Sequence, residues 1–314
     1  MTGALVIGAG MTGIACARAL HAADHPVRVL DKGRGIGGRM ATRRAATQAG
    51  ELRFDHGAQY VTARSPDFAT LLAGMTEAAV WRDGAAQPHH VGLPGMSGLP
   101  RALAAELDVM QATEVTAIRR AGAGWQVTAG DTVFKAGRVI ITVPAPQVAP
   151  LIGAGHPLIP ALAQVQMAPC MTLMAAFPDG SPAPFVSRKP SDGALTFIAR
   201  DNSKPGRPAG AVTWVAQAGP DWSAAHLEED RQTIARLMLP LLCEAVGATP
   251  ETALHLDAHR WRHARVTAPL GRPFLRDATG TLHIGGDWCL GTRVEAAWQS
   301  GTAIARDIIG TGNA

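Results

Sequence analysis

The stretch "VIGAGMTG", residues 6–13, constrains the fold of this chain more than any other. It leaves the apolar run "ALVIGAG" and enters "MTGIACARALHAA", a run of good helix formers. Strand, glycine turn and helix in that order leave each glycine a separate task. Gly8 permits the tight turn, Gly10 lets backbone approach a pyrophosphate, and Gly13 lets the helix pack on the strand. The helix then aims its first amides and the positive end of its dipole at the phosphates. "HPVRVLD" reads as a second strand, and its last residue, Asp31, stands about 20 residues beyond the turn, where a carboxylate meets ribose hydroxyls. Residues 3–31 are therefore expected to form a βαβ unit for a dinucleotide.

A second glycine-rich, basic loop follows at once: "DKGRGIGGRMATRR", residues 31–44. Backbone amides near Gly37 and Gly38 can form a nest for the same pyrophosphate, and Arg39 can pair with it. Two loops on one dinucleotide suit a cofactor held through many turnovers, which favours FAD over an exchanging NAD.

Further along, 66–107 reads as helices around "VGLPGMSGLP", and 108–144 as a run of strands with glycine turns, ending on the buried strand "RVIITVP". Residues 155–265 mix strands ("CMTLMAAF", "AVTWVAQA") with one helix, "SAAHLEEDRQTIARLMLPLLCEAV"; "GTLHIGGDW" is a late strand and "RVEAAWQSGTAIARDII" a closing helix. Nucleotide-type pieces thus lie at both ends and in the middle. The expected class is α/β, with both domains discontinuous: residues 1–60, 101–150 and 270–314 form a Rossmann-type FAD-binding domain of glutathione-reductase-like kind, and 61–100 with 151–269 form a smaller α+β substrate domain.

The bulk numbers exclude several other classes. At 314 residues, 47% hydrophobic and 17% charged, the chain can build two well-filled cores. Its net charge of +4 comes from scattered arginines without interleaved aromatics, so no nucleic-acid partner is expected. No apolar run is long enough to span a bilayer, and no leader is expected before the first strand, so no membrane partner is expected either. Cys16, Cys170, Cys243 and Cys289 are widely separated and show no metal-type spacing, as reduced thiols of a cytoplasmic protein would be. No metal is expected.

Taken together, "GAGMTG", "DKGRGIGGRMAT", "DHGAQYVT" and "HIGGDWCLGTRVEAAWQSG" resemble the flavin amine-oxidase superfamily across essentially the whole chain. "ARDNSKPGRP" (199–208) and "RWRHARVTAP" (260–269) narrow the resemblance to the renalases. By position, it implies non-covalent FAD with its ADP half on Gly8, Gly10, Met11, Thr12, Gly13, Asp31, Lys32, Gly38, Arg39, Met40 and Thr42. Asp31 stands where most of the superfamily has Glu, and both can bind a ribose diol. His56, Gly57, Ala58, Gln59 and Tyr60 would lie by the isoalloxazine ring, and Val115 would offer adenine a backbone contact. Gly286 and Asp287 would meet the ribityl or phosphate region, with Arg293, Val294 and Ala297 at the start of the last helix.

Renalase-like enzymes oxidise 2- or 6-dihydro-NAD(P) to NAD(P)+, with dioxygen taking the electrons to form H2O2, so a small dinucleotide and O2 are the implied partners. That chemistry suits the residues. A dihydropyridine that loses hydride becomes an aromatic cation directly, so orientation does more than a strong base. Amine oxidases of the monoamine type commonly set two tyrosines before the flavin, whereas this chain has only Tyr60. Trp288 or Trp298 can serve in such a cage, and an amine or other cyclic dihydro substrate stays open, as does a flavin-bound protein without turnover. Candidate substrate residues are Tyr60, to orient or stack on the nicotinamide; Asn202, to bond its carboxamide; His263, to do the same or meet a phosphate beside Arg262; and Trp288. Each has a packing or solvent-facing alternative.

Overall fold

In the computed structural model, which describes residues 3–48 and 50–312, the chain divides into two compact units. One comprises residues 1–38, 100–167 and 266–314; the other comprises 39–99 and 168–265. Residues 39–60, expected with the nucleotide-binding domain, cluster with the second unit, and 151–167 with the first.

The first unit is built on a six-stranded sheet. Ala4–Ile7 lies between Val27–Leu30 and Arg138–Ile141 and is parallel to both. Outside them run Asp108–Met110 and Leu282–Ile284, also parallel, and Leu275–Arg276 closes one edge antiparallel. Every residue of Ala4–Ile7 is buried, as a strand covered on both faces requires. The helix Met11–Ala22 packs against the closing helix Val294–Gly312 at very short range. A Cβ on Gly13 would stand 2.0 Å from the Gly8 carbonyl oxygen, and one on Gly301 would stand 2.1 Å from that of Thr12. An antiparallel three-stranded sheet, Val115–Ala121, Gly124–Ala129 and Thr132–Ala136, adds Ile118, Trp125 and Val127 to the same core.

The second unit is built on a five-stranded sheet ordered Ser187–Arg188, Leu195–Arg200, Ala211–Ala218, Gln166–Pro178, His255–Ala268. Ala211–Ala218 is buried at all positions because both its faces are covered. Val212, Trp214 and Ala216 share a core with Met238 and Leu242 of the helix Arg231–Val246. Ala211 and Val215, on the alternate face, pack with Leu52 and Phe54. Those two residues belong to a hairpin, Thr42–Thr47 with Gly50–Asp55, whose first residues fall within the stretch 31–44 read as a glycine-rich loop. A second hairpin, Ala78–Trp81 with His89–Gly92, replaces part of the helical stretch expected over 66–107. The long helix expected over 223–246 is two, Pro220–Ala225 and Arg231–Val246. The break comes where Asp230 caps the second, accepting bonds from the Gln232 and Thr233 amides at 2.8 and 3.0 Å.

Candidate functional site: a glycine cradle and a pinned loop

In the first unit the two glycine loops lie against each other. Gly8 adopts φ +111°, a backbone state that a side chain would strain. The Gly37 amide donates to the Ala9 carbonyl at 2.9 Å, and a Cβ on Gly38 would come within 3.5 Å of the Gly10 Cα. Asp31 ties the pair together: one carboxylate oxygen accepts the Ala9 amide and the other the Gly33 amide, each at 2.6 Å. A Cβ on Gly10 would meet nothing within 4 Å. Gly10 also begins the helix Met11–Ala22, with no side chain capping it and no acid in its first turn. A helix N-terminus with open space beside it is an anion cradle.

In the second unit, residues 55–60 form a loop whose carbonyls are held by side chains instead of a strand ladder. Gln59 donates its amide to the carbonyls of Asp55 and Gly57, the latter at 3.2 Å. Trp261 donates its indole N–H to the His56 carbonyl at 2.8 Å, and Gln217 donates to the Gly57 carbonyl at 2.8 Å. Gly57 is required where it stands, since a Cβ would lie 1.9 Å from the Arg39 carbonyl oxygen.

Beneath this loop sits a buried ionic quartet. Lys204 donates to Asp55 Oδ2 at 3.0 Å and to Asp201 Oδ1 at 2.6 Å, while Arg207 donates to both acids. All four side chains are essentially inaccessible. Two acids against two cations leave no net charge in the low-dielectric interior, the condition under which buried charges persist. Burial pushes the Asp55 carboxyl up, but the Lys204 and Arg207 charges, with the Met96 amide and the Thr42 hydroxyl, outweigh it and hold Asp55 below its ordinary value.

Next to the quartet, His56 stacks on Trp261 at 5.3 Å between ring centroids and meets His259 edge-on at 4.7 Å. Burial, then the neighbouring His259 and Arg43, lower its pKa from 6.5 to about 3, and burial lowers His259 to about 4. Asp55 opposes the shift of His56, and Asp257, paired with Arg231, opposes that of His259. A neutral native imidazole disfavours folding wherever the unfolded chain binds the proton that it refuses. Stability is thus full above pH 6.5 and falls as pH drops toward the native values, by about 2 kcal/mol at pH 5 for His56 alone. Melting temperatures between pH 7 and 5 should fall more steeply for the wild type than for His56→Phe; parallel profiles would refute this.

Residues 66–309 match the family described as flavin containing amine oxidoreductases. The chain belongs to that family. Residues 6–74 also match the NAD(P)-binding Rossmann-like domain. Among solved structures, one designated a protoporphyrinogen oxidase from Exiguobacterium sp. 255-15 aligns over 99% of both chains at TM-score 0.74 and 12% identity. Putrescine oxidase aligns over 98% of this chain and 99% of its own at TM-score 0.67 and 14% identity. Cyclohexylamine oxidase from Brevibacterium oxydans IH-35A aligns over 100% of both at TM-score 0.67 and 14% identity. At such identities the likeness is one of fold. As a flavin containing amine oxidoreductase the protein uses FAD, and the cradle fits it: open space over Gly10, uncapped helix amides and the carboxylate of Asp31 match a pyrophosphate and a ribose.

Several expected site residues prove to have structural duties. Arg39, expected on the pyrophosphate, donates to the carbonyls of His263 and Ala264 at 3.5 and 3.1 Å. Thr42 bonds Asp55 at 2.8 Å and accepts the Ser97 amide, and Met40 is buried beside it in sequence. Lys32 pairs with Glu114 at 3.8 Å on the surface. Trp288, expected to face substrate, is fully buried in the first unit's core, with its N–H on the Val143 carbonyl at 3.0 Å. Asn202 turns its carbonyl oxygen to the Thr213 amide at 3.1 Å, and Arg262 donates two hydrogen bonds to the carboxylate of exposed Glu228, at 2.8 and 3.0 Å. The one tyrosine, Tyr60, stacks on His89 at 3.5 Å between centroids and 10° between planes, so one face of its ring is already covered.

Met11 and Thr12 are buried at the helix start; Val115 is buried on its strand, and Thr113 just before it bonds the Asp31 carbonyl. The Gly286 amide donates to Ser300 at 3.1 Å, Asp287 is buried, and the Ala297 amide donates to the Arg293 carbonyl as the helix opens at Val294. All four cysteines are free and buried, and burial pushes the Cys289 thiol up to about 12. Among the described residues no group of His, Cys, Asp and Glu is arranged to hold a metal ion, and no helix is long and apolar enough to cross a membrane.

Sequence reading missed Asp55, Asp201, Lys204, Arg207, Gln217 and His89. Asp201, Lys204 and Arg207 did carry a signal. They recur every third position in "DNSKPGR", between two strongly apolar strands, which is where charge needs a buried partner.

Proposed function

We propose that the protein is a renalase-like oxidase that takes hydride from 2- or 6-dihydro-NAD(P), yields NAD(P)+ and passes the electrons to dioxygen, giving H2O2. Bound FAD, held without a covalent link, supplies the hydride acceptor and the route to dioxygen. The observation that carries the reading is the state of the ionisable groups around residues 55–60. Asp55 and Asp201 are carboxylates committed to Lys204 and Arg207, and His56 is neutral and buried. A dihydropyridine asks none of them for proton transfer, because loss of hydride restores aromaticity directly. An amine arrives as an ammonium ion and must first shed a proton.

The chain's residues then bind and orient. Tyr60, stacked on His89 and backed by the buried rings of Trp81 and Phe197 at 6.4 and 6.0 Å, is the ring on which a nicotinamide can lie. The remaining amide of Asn202 and the side chain of His263 are assigned to its polar groups. In the first unit the three-stranded insertion over 115–136 supports a glutathione-reductase-like arrangement, with Val115 next to the Asp31 strand end. We place the enzyme in the cytoplasm, with free dinucleotides and dioxygen as its partners.

The test is anaerobic stopped-flow mixing of the holoprotein with 2-dihydro-NAD, 6-dihydro-NAD, ordinary 4-dihydro-NADH and a panel of amines. Rapid loss of flavin absorbance with one abnormal isomer, and slow or no loss with the rest, is expected. Faster loss with an amine would transfer the protein to the amine-oxidising side of its family, and silence toward every donor would point to another small substrate or to a flavin-bound protein without turnover.

A further inference from the structure

We propose that Lys204 and Arg265 are positioning residues that set the Gly57 carbonyl, and through it the 57–60 loop, by each fixing the amide of one glutamine. The inference rests on the reading above that this loop lies beside the flavin ring.

Lys204 donates to Gln59 Oε1 at 3.2 Å, and Arg265 donates to Gln217 Oε1 at 3.2 Å. An ammonium and a guanidinium have only donors, so each glutamine must turn its oxygen to the cation and its NH2 away. In both cases the NH2 then reaches the same acceptor, the carbonyl of Gly57, at 3.2 Å from Gln59 and 2.8 Å from Gln217. Glutamine amides otherwise have two nearly equivalent orientations, and in the flipped one an oxygen would face the Gly57 oxygen.

The two relays are anchored differently. Lys204 is the fully buried lysine of the quartet, so its position is over-determined by Asp55 and Asp201, while Arg265 comes from the strand His255–Ala268. The Gln59 relay also reaches the Asp55 carbonyl, so loop and quartet are one hydrogen-bonded body. A quartet that served stability alone would not need a donor left over for Gln59; Lys204 spends its third N–H there.

The single tyrosine makes this measurable. Uniform 3-fluorotyrosine labelling places one ¹⁹F nucleus in the chain, at Tyr60. The wild-type apoprotein is expected to give one narrow resonance that moves on addition of FAD. Gln59→Leu keeps the quartet intact and removes one relay; K204M/D201N removes the relay and keeps the charges balanced. Both variants should split or broaden the resonance and weaken FAD binding about tenfold, the loss of one oriented hydrogen-bond relay. Should K204M/D201N fail to fold, Gln59→Leu decides alone. A Gln59→Leu protein with one narrow line at the wild-type shift and FAD affinity within about twofold of wild type would overturn the proposal. A wild-type resonance that FAD leaves unmoved would instead refute the loop's place beside the flavin, and the line shape of the variants would still judge the relays.

Discussion

Gly10→Ala should fold as the wild type does and lose FAD. Beyond residues 9–11 no protein atom lies within 4 Å of the added methyl, and Gly10 already has an extended backbone, φ −77° and ψ 176°, that alanine adopts freely. The apoprotein should therefore lose no more than about 1 kcal/mol, the difference between glycine and alanine at a helix cap. The methyl occupies the space assigned to the pyrophosphate, so FAD affinity should fall at least about a hundredfold, or about 3 kcal/mol. Gly13→Ala should do the reverse damage. Its methyl would meet the Gly8 carbonyl at 2.0 Å and Thr142 Oγ1 at 2.8 Å, so the apoprotein itself should lose about 3 kcal/mol through overpacking. Apoprotein unfolding curves and FAD titrations on both variants separate the two roles. Unchanged FAD affinity in Gly10→Ala would remove the pyrophosphate from this cradle.

Asp55→Asn should be the most costly single change in the second unit. The amide keeps the shape of the side chain but leaves Lys204 and Arg207 sharing one acid in a site closed to water. Breaking one member of a buried ion group typically costs about 3–5 kcal/mol. Urea unfolding should show that loss as a lower midpoint with an unchanged slope; a loss under about 1 kcal/mol would mean that water reaches the quartet. The native carboxyl of Asp55 lies below its ordinary value, so its contribution is complete above the unfolded carboxylate range and disappears as pH falls through the native value. In acid this adds to the loss from His56, which begins nearer neutrality.

What the sequence disclosed was local. Strand, glycine turn, helix, strand and acid follow one another within residues 4–31, and each is dictated by neighbours a few positions away. The hairpin over 42–55 escaped because "TRRAATQAGELRFD" is basic and alanine-rich. What makes it a sheet is its own cross-strand pairing and the burial of Leu52 and Phe54 against Met174 and Val215, far away in the chain. The long helix broke at Asp230 because a cap inside a run of helix formers differs little from an ordinary polar helical residue until its amides are seen to need it. The quartet was hidden for a related reason: Asp55 and Lys204 are separated by more than a hundred residues, and nothing in either segment names the other. Tyr60 was marked for its rarity, but its partner His89 sat in what read as a helix-and-loop region and proved to be on a strand.

The packing of Gly301 against Thr12 has a bearing on how the chain is made. A ribosome delivers the glycine turn long before the helix that leans on it, Val294–Gly312, and the strand Leu282–Ile284 that extends its sheet comes only shortly before that helix. Between them the polypeptide leaves the first unit at residue 39, returns at 100, leaves again at 168 and returns at 266. The nascent nucleotide cradle must therefore wait without its outer strand and its covering helix until residues 282–312 have been made. The second unit, complete by residue 265, can close while that wait continues, so the strand and helix that finish the first unit are added after the second has been made.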